Sequence, residues 1–236
     1  MIDSVRNTVL SIISKDNRGY ITPEEFNYFA KQAQLEIFED MFFRYSNMIY
    51  KQNQRQHGSG YTDAPKILEE MIDKFSTYSL LNYNNTTLKF DIPSDNYSLD
   101  KILYNDTVEV ERVLQNKINY LLQSGIAAPS IYYPVYTIDE VGVQVYPITI
   151  DGATASVTAQ YIRYPKDPKW TYNPVLINGS PMFDPGQTDY QDFELPLNFE
   201  TDLVIKILEY SGISIRENDV TQAAKAEEMQ NGQLKI

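Results

Sequence analysis

The sequence predicts an α+β protein whose helices lie near the two ends of the chain and whose strands lie between them. Apolar residues recur at helical spacing through most of residues 1–83 and again from Phe199, whereas apolar and polar residues begin to alternate near Leu80. We therefore expect an N-terminal helical hairpin or bundle over residues 1–83 and an acidic, antiparallel β-rich domain with an inserted helix over residues 84–195. Residues 196–236 are expected to form a C-terminal helix that packs on the bundle, followed by a tail.

The composition limits the kind of protein this can be. The 236 residues are 42% apolar and 22% charged, which is ordinary for a globular protein. The net charge of −12, concentrated in residues 84–200, disfavours a protein that wraps nucleic acid. The lack of cysteine excludes disulfides, thiolate metal sites and cysteine nucleophiles, and it is typical of proteins assembled in a reducing cytoplasm. We find no signal-peptide pattern and no apolar run of about 18 residues, so we expect neither secretion nor a membrane span.

Two helices are predicted in the first 54 residues. The first ends before Gly19, and its apolar face is formed by Val5, Val9, Ile12 and Ile13. The second begins at the capping box Thr22-Pro23-Glu24-Glu25 and runs to about Gln54, a length of roughly 45–50 Å. Its apolar stripe is broad enough for packing on two sides, so we expect the helix either to span the whole molecule or to pack in part against another copy.

A third helix is predicted to open at Asp63-Ala64-Pro65, after the flexible break Gly58-Ser59-Gly60. Because only a short link separates them, the second and third helices are expected to form an antiparallel hairpin. The predicted core face of the third helix is Ile67, Leu68, Met71, Ile72, Phe75 and Tyr78.

The middle of the chain predicts strands around one helix. Short strands are expected at Thr87–Ile92 and Ile102–Tyr104, and a hairpin is expected between Val141–Ile150 and Ala153–Arg163 because Asp151-Gly152 suits a type I′ turn. Alternation in the last of these strands predicts one buried face, formed by Val157, Ala159 and Tyr161. The inserted helix ends at Gly125, and its apolar face comprises Val110, Val113, Leu114, Lys117, Ile118, Leu121 and Leu122.

The last third of the chain begins with a proline-rich loop, residues 164–187, that contains the only tryptophan, Trp170. A helix follows, with Phe199, Leu203, Val204, Ile207 and Leu208 facing inward. We expect residues 26–49 and 199–208 to form the core of the bundle. A weaker helix is predicted at Val220–Met229, ending at Asn231-Gly232.

The segment before the second helix has two interpretations. Aligning Gly19 with the invariant glycine of an EF-hand calcium loop places Asp16 and Glu25 at ligand positions. The first position, however, holds Ser14, and the fifth holds Arg18, a cation where an oxygen ligand is required. We therefore favour a glycine turn followed by a capping box, with calcium binding as the alternative.

Other candidate sites lack the residues that catalysis requires. His57 is the only histidine, so neither a His-based zinc site nor a Cys–His pair can form. The polar, locally basic loop Lys51–His57 is expected to be exposed, where it is available to a phosphate or an acidic partner surface. The carboxylates Asp139/Glu140 or Asp189/Asp192/Glu194 leave a glycosidase as an alternative. We expect no catalytic, cofactor-binding or metal-binding residues.

Tyrosine is abundant, with 19 residues, many of them near proline-rich strand ends. Tyrosine buries apolar area and keeps a hydrogen-bonding tip, so it suits protein interfaces, although it is also an ordinary strand residue. The tyrosines in question are Tyr132, Tyr133, Tyr136, Tyr146, Tyr161, Tyr164 and Tyr172.

Several segments resemble a known family. They are Ile21-Thr-Pro-Glu-Glu-Phe26-Asn27, Ala33-Gln34-Leu-Glu-Ile-Phe38, Ala128-Pro129-Ser130 with Tyr133-Pro134-Val135-Tyr136, Tyr161-Ile162-Arg163-Tyr164-Pro165-Lys166-Asp167-Pro168-Lys169-Trp170, and Phe193-Glu-Leu-Pro196 leading into a helix and Gly212-Ile213. Together they resemble the head–tail connector, ring or adaptor proteins of tailed bacteriophages, in particular those of crAss-like phages.

The resemblance implies a non-enzymatic virion protein, assembled in the host cytoplasm and located at the head–tail junction. About a dozen copies would form a closed ring, a dodecamer, that joins the portal to adjacent tail or ring proteins and lines the channel through which DNA is ejected. DNA would pass without sequence-specific binding, and no membrane would be involved. The tail, residues 220–236, is expected to order on contact with the portal or the next ring.

The residues expected to contact sister subunits or other partners are Phe26, Phe29, Ala33, Ile37, Met41, Tyr45, Lys51, Arg55, His57, Val220 and Met229. Two other functions stay open: a virion-associated glycan-binding or depolymerising protein, and a monomeric calcium-responsive module.

Overall fold

The computed structural model describes residues 1–15, 20–54, 63–151, 156–174 and 181–215. The chain divides into two compact units, of which one comprises residues 1–71 and 165–236 and the other comprises residues 72–164. This division differs from the predicted boundaries after residues 83 and 195. The reason is that the first unit is discontinuous: residues from both halves of the chain build the helical unit, and the sheet is inserted between them.

The elements follow the chain in this order. The helices are α1 (Ile2–Lys15), α2 (Pro23–Gln54), α3 (Asp63–Asp73), α4 (Ile118–Leu122) and α5 (Glu200–Ile215), and a 3₁₀ turn at Leu197–Phe199 precedes α5. The strands are β1 (Ser76–Leu80), β2 (Tyr83–Asn84), β3 (Lys89–Phe90), β4 (Asn96–Tyr104), β5 (Val108–Arg112), β6 (Val135–Ile138), β7 (Val143–Tyr146), β8 (Val157–Arg163), β9 (Tyr172–Pro174) and β10 (Pro181–Phe183). The mixed α+β class and the order of helices, sheet and C-terminal helix confirm the predicted fold class. Within the described ranges, no helix is both long and apolar enough to cross a bilayer.

The capping box at the start of α2 is confirmed. The Thr22 N–H donates to Glu25 Oε2 at 2.9 Å, and the Glu25 N–H donates to Thr22 Oγ1 at 3.2 Å. These reciprocal bonds satisfy backbone donors that a helix start otherwise leaves without partners. The helix then runs for 32 residues to Gln54, as the sequence predicts.

The helical unit is built around α5, on which both α1 and α2 pack. The inward face predicted for the C-terminal helix is confirmed, because Leu203 and Ile207 are fully buried and its other predicted core residues are nearly so. In the first helix Ile13 is buried, whereas Ile12 is exposed.

The third helix needs correction. Among the described residues, the partner of α2 is α5 rather than α3, so the predicted hairpin of the second and third helices is not the packing that the chain adopts. Helix α3 ends at Asp73, Ile67 is exposed, and Tyr78 belongs to strand β1. The apolar spacing from Ile67 to Tyr78 therefore spans the end of a helix and the start of a strand.

The second unit contains an eight-stranded sheet in the order β1-β8-β4-β5-β6-β7-β3-β2. Its pairings are antiparallel except between β5 and β6, which run parallel. The alternation predicted for β8 is confirmed, since Val157, Ala159 and Tyr161 are buried. They share a core with residues from the neighbouring strands, including Ile102, Val110, Tyr136, Val143 and Val145.

Two local predictions in this unit are wrong. The strands of the predicted hairpin do not pair with each other, because β7 pairs with β3 and β6 whereas β8 pairs with β1 and β4. The predicted inserted helix is shorter than expected, because Val110 lies in β5 and only Ile118–Leu122 are helical. A tight turn at Asn105 and Asp106 instead joins β4 to β5, and these two residues have positive φ angles of 49° and 55°.

Candidate partner-binding surface

Residues 113–134, the excursion, connect β5 to β6. These strands lie side by side and run parallel, with Glu111 opposite Val135 and Arg112 opposite Tyr136. Parallel neighbours cannot be joined by a tight turn. After the last residue of β5 the chain must leave the sheet and cross back to the opposite end, where β5 begins, before it can enter β6. The topology of the sheet therefore requires a long connection at this place.

Backbone bonds and a small core fix the excursion. At its ends, the Val113 N–H donates to the Tyr136 carbonyl oxygen at 2.8 Å, and the Glu111 N–H donates to the Pro134 carbonyl oxygen at 3.0 Å. In between, Ile118 of α4 is buried against Val135 and Tyr146. The excursion is therefore an ordered part of the unit, and its exposed side chains project from a defined backbone.

Three short structures shape the excursion. The first is α4, and the second is a turn in which Ser124 Oγ accepts the N–H groups of Ile126 and Ala127 at 3.4 and 3.0 Å. The third is a tight turn closed by two bonds between Ser130 and Tyr133, one from each backbone N–H to the other residue's carbonyl oxygen, at 3.3 and 3.1 Å. Each of these structures carries exposed apolar side chains.

The exposure of these side chains is unusually concentrated. Among the described residues, 21 large apolar side chains are exposed, and seven of them lie on this 22-residue segment. Tyr120, Tyr132 and Tyr133 are 79–80% exposed and Ile126 is fully exposed. Leu114, Leu122 and Ile131 complete the set. Scattered apolar residues are normal on a protein surface, but an accumulation on one segment indicates a binding surface.

The excursion is also nearly free of charge. Lys117 is its only charged residue, although the whole chain has 32 acidic side chains and a net charge of −12. Charged groups are depleted from the cores of protein interfaces, because burying them without partners is costly. The segment thus combines exposed apolar area with the absence of carboxylates that would oppose burial.

The structure corrects the predicted interface on α2 for four residues. Phe26, Ala33, Ile37 and Met41 are 0–5% exposed, so they fill the core of the chain itself and present almost no surface to a second molecule.

Phe29 and Tyr45 are partly exposed, and Phe29 stacks on Tyr210 of α5 with 6.4 Å between ring centroids. The remaining predicted contacts lie outside the described residues or, for one of them, have an undescribed side chain: Lys51, Arg55, His57, Val220 and Met229. These stay predictions.

Polar bonds join α2 to α5 beside this core. Lys206 Nζ donates to Glu36 Oε1 at 2.6 Å, and the Tyr210 hydroxyl donates to Glu36 Oε2 at 2.7 Å. Burial, followed by the Glu36 carboxylate, raises the pKa of Tyr210 to about 12. Burial alone would raise the pKa of Glu36, but the bonds from Lys206 and Tyr210 outweigh it and lower this pKa.

Trp170 joins α1 and α2 within the helical unit, a role that the predicted loop did not reveal. It is 1% exposed, its indole N–H donates to Asp3 Oδ1 at 2.9 Å, and its backbone N–H donates to Asn27 Oδ1 at 2.8 Å. The Arg6 guanidinium carbon lies 3.7 Å from the ring centroid, and Tyr172 stacks on the ring. This cluster is structural.

The carboxylates of the glycosidase alternative take part in structural bonds. Asp139 accepts bonds from Lys89 and from two backbone N–H groups, and the Lys89 bond is the largest cause of its lowered pKa. Lys169 lowers the pKa of Asp189 in the same way. The general acid of a glycosidase needs a raised pKa, so these shifts have the opposite direction.

Two further carboxylates of the glycosidase alternative, Asp192 and Glu194, accept hydrogen bonds from main-chain nitrogen atoms. Asp192 accepts bonds from the Met1 amino group and the Ile2 N–H at 2.9 and 2.7 Å. Glu194 accepts the Lys166 N–H at 2.8 Å.

The proposed calcium loop falls largely outside the described residues, at positions 16–19. Its bidentate candidate, Glu25, is engaged by Thr22, whose backbone N–H is the main cause of the lowered pKa of Glu25. In the part of the chain that the structure describes, no group of three or more acidic or histidine side chains is placed to hold a metal ion.

No protein-family model and no curated protein matches the sequence. The excursion is therefore the candidate functional surface of this chain. One combined sequence signal could have located it: residues 113–134 of this acidic chain contain no carboxylate and only one basic residue, whereas residues 41–62, which also lack carboxylates, contain three. The tyrosines that the sequence singles out divide between the two expected roles, since Tyr132 and Tyr133 of the excursion are exposed whereas Tyr136 of β6 and Tyr146 of β7 are buried.

Proposed function

We propose that the protein is a structural subunit of the head–tail connector of a tailed bacteriophage, in which copies form a ring that joins the portal to the tail. The observation that carries this proposal is the excursion, an ordered segment with seven exposed apolar side chains and one charge on a chain of net charge −12. Such a surface suits binding to protein rather than to nucleic acid. The resemblance described above supplies the identity of the assembly.

The charge of the chain supports the same function. A ring that surrounds passing DNA must not hold its cargo, and a strongly acidic protein repels the phosphate backbone. A basic channel would instead bind DNA with an affinity that rises with each neutralised phosphate.

The test is to incubate the purified chain with the portal protein of the same phage and to image the products by electron microscopy. We expect stacked rings, one of portal and one of this chain. The variant Tyr132→Ser/Tyr133→Ser should yield fewer or no stacked rings, whereas the matched control Tyr78→Ser, which alters an exposed tyrosine outside the excursion, should behave as the wild type. Failure of the wild-type chain to bind the portal under any assembly condition would refute the proposal.

A second candidate function, glycan binding, is favoured by one observation. Tyr120, Tyr132 and Tyr133 present exposed rings on which sugar faces could stack, and Asn119 and Gln123 lie on the same segment. A glycan array with the wild-type chain distinguishes the two functions. Binding that is lost in Tyr132→Ser/Tyr133→Ser, together with no binding to the portal, would favour the glycan.

A further inference from the structure

We propose that the excursion of one copy packs on the exposed face of α2 in the next copy. This inference rests on the proposed ring function and names the contact that would hold the ring together. The partner is therefore a second copy of this chain, and the contact joins two different surfaces.

The excursion is large enough for such a contact. Its three tyrosines expose roughly 400–600 Å². Each of its four aliphatic side chains adds roughly 60–120 Å², the area that corresponds to a burial energy of about 1.5–3 kcal/mol at about 25 cal/mol per Å². The total is close to the roughly 800 Å² that each partner contributes to an interface of standard size. Because local bonds already order the excursion, little conformational entropy is lost when it binds.

Helix α2 offers a receiving surface. Its exposed face near the C-terminal end comprises Glu39, Phe43, Ser46, Asn47 and Tyr50. Phe43 and Tyr50 are 66% and 63% exposed, and they lie seven residues apart, about 10.5 Å along the helix axis. Ser46 and Asn47, which have shorter side chains and are also exposed, lie between Phe43 and Tyr50 along the helix, and in the proposed contact a tyrosine or isoleucine of the next copy packs there between the two rings.

The charges of the two surfaces are complementary. The excursion carries only Lys117, which is exposed, and the receiving face carries only Glu39. Elsewhere two copies of an acidic chain repel each other, so contact through these surfaces avoids the bulk of the like charge. Residual repulsion between the copies is screened by salt, so association is expected to strengthen as ionic strength rises.

Two different surfaces on each copy have a geometric consequence. A contact between unlike surfaces is heterologous, and it produces a ring when the rotation from one copy to the next divides a full turn, or an open helical filament when it does not. A contact between two excursions would instead produce a dimer with twofold symmetry.

The test uses the natural absence of cysteine, which makes any introduced thiol unique. Tagged Tyr132→Cys chains are mixed with untagged Phe43→Cys chains and oxidised by air with a copper catalyst, at low and high salt. We expect a disulfide between tagged and untagged chains, which can arise only between copies. The matched control replaces Phe43→Cys with Tyr78→Cys, and we expect at least tenfold less product.

Three results would overturn the inference: no mixed disulfide at the highest soluble concentration, equal product in the control, or dimers formed by Tyr132→Cys alone in preference to the mixed product. The double variant Tyr132→Ser/Tyr133→Ser should self-associate at least tenfold more weakly than wild type, as measured by sedimentation. Its melting temperature should be unchanged. Portal binding separates this inference from the function. Stacked rings without the mixed disulfide refute the contact alone, whereas the mixed disulfide without portal binding refutes the connector function alone.

Discussion

Replacement of Ile37 by aspartate tests the buried stripe of α2 and produces a pH signature. Ile37 is 5% exposed on the helix that packs against α5. Loss of the isoleucine side chain alone should cost about 2–5 kcal/mol of unfolding free energy. The aspartate carboxyl group would be buried among apolar side chains, so its folded-state pKa rises above the unfolded value of about 3.9.

The pH dependence follows from proton linkage. Below about pH 4 the carboxyl is neutral in both states and adds no titration penalty. As the pH rises, the unfolded state ionises first, and stability falls by about 1.4 kcal/mol per pH unit until the folded-state pKa is reached. With a folded-state pKa above 7, the added loss is about 4 kcal/mol at pH 7. The total of about 6–9 kcal/mol is comparable to the whole stability of a typical domain.

The assay is urea unfolding at pH 5 and pH 7, followed by the fluorescence of Trp170. This residue is the only tryptophan and is buried in the same unit as Ile37. The matched control is Ile37→Asn, which has nearly the same shape as the aspartate but does not titrate. Relative to wild type, the aspartate variant should lose about 2.7 kcal/mol more at pH 7 than at pH 5, and the asparagine variant should lose the same amount at both. Equal pH dependence in the two variants would refute the buried position of Ile37.

Three further predictions concern single contacts. Ile118→Ala removes the side chain that fixes α4 in its small core, so we expect a loss of about 2 kcal/mol and faster proteolysis within residues 113–134, which limited digestion measures. Thr22→Ala removes one half of the capping box and should lower the unfolding free energy by about 1 kcal/mol in urea titrations, whereas Thr22→Ser should retain most of it. Tyr210→Phe removes a hydrogen-bond donor to the Glu36 carboxylate. The pKa of Glu36 is lower in the folded than in the unfolded state, so the ionised carboxylate stabilises the fold above the unfolded pKa, and this stabilisation is lost as the pH falls through the folded-state pKa. The variant should therefore lose less stability than wild type as the pH falls from 5 to 3, through and below the unfolded glutamate pKa of about 4.3, and equal losses would contradict the role given to that hydroxyl.

The parts of the fold that local interactions determine could be predicted from the sequence. The start of α2 depends on Thr22 and Glu25, which are three residues apart, and the inward face of α5 depends on a rhythm within one helix. The parts that depend on distant strands could not. Asp151-Gly152 is a strong local turn signal, but β7 and β8 each find both partners elsewhere in the sheet.

The same limit explains why the candidate surface was only partly predicted. Apolar residues from Val110 to Leu122 have helical spacing, yet the first of them belong to a strand because β5 pairs with β4 through the turn at Asn105. Tyr132 and Tyr133 lie exposed on the long connection that the parallel pairing of β5 with β6 requires. No local sequence pattern predicts this pairing. Conversely, most of the predicted contacts on α2 were apolar residues of a broad stripe, and four of them are buried within the helical unit, in which α2 packs on α5.

The proposed contact also explains how an acidic chain could assemble through one short segment. Two copies in solution share one contact of modest area and repel each other through their net charge, so the pair is weak. In a closed ring each copy uses both of its surfaces, and a subunit leaves only when two contacts open together. The second contact then acts at a high effective concentration, which multiplies the stability of the assembly without any additional interface. A charge that keeps free copies apart is therefore compatible with a stable ring, provided that the excursion carries no carboxylate, as is the case here.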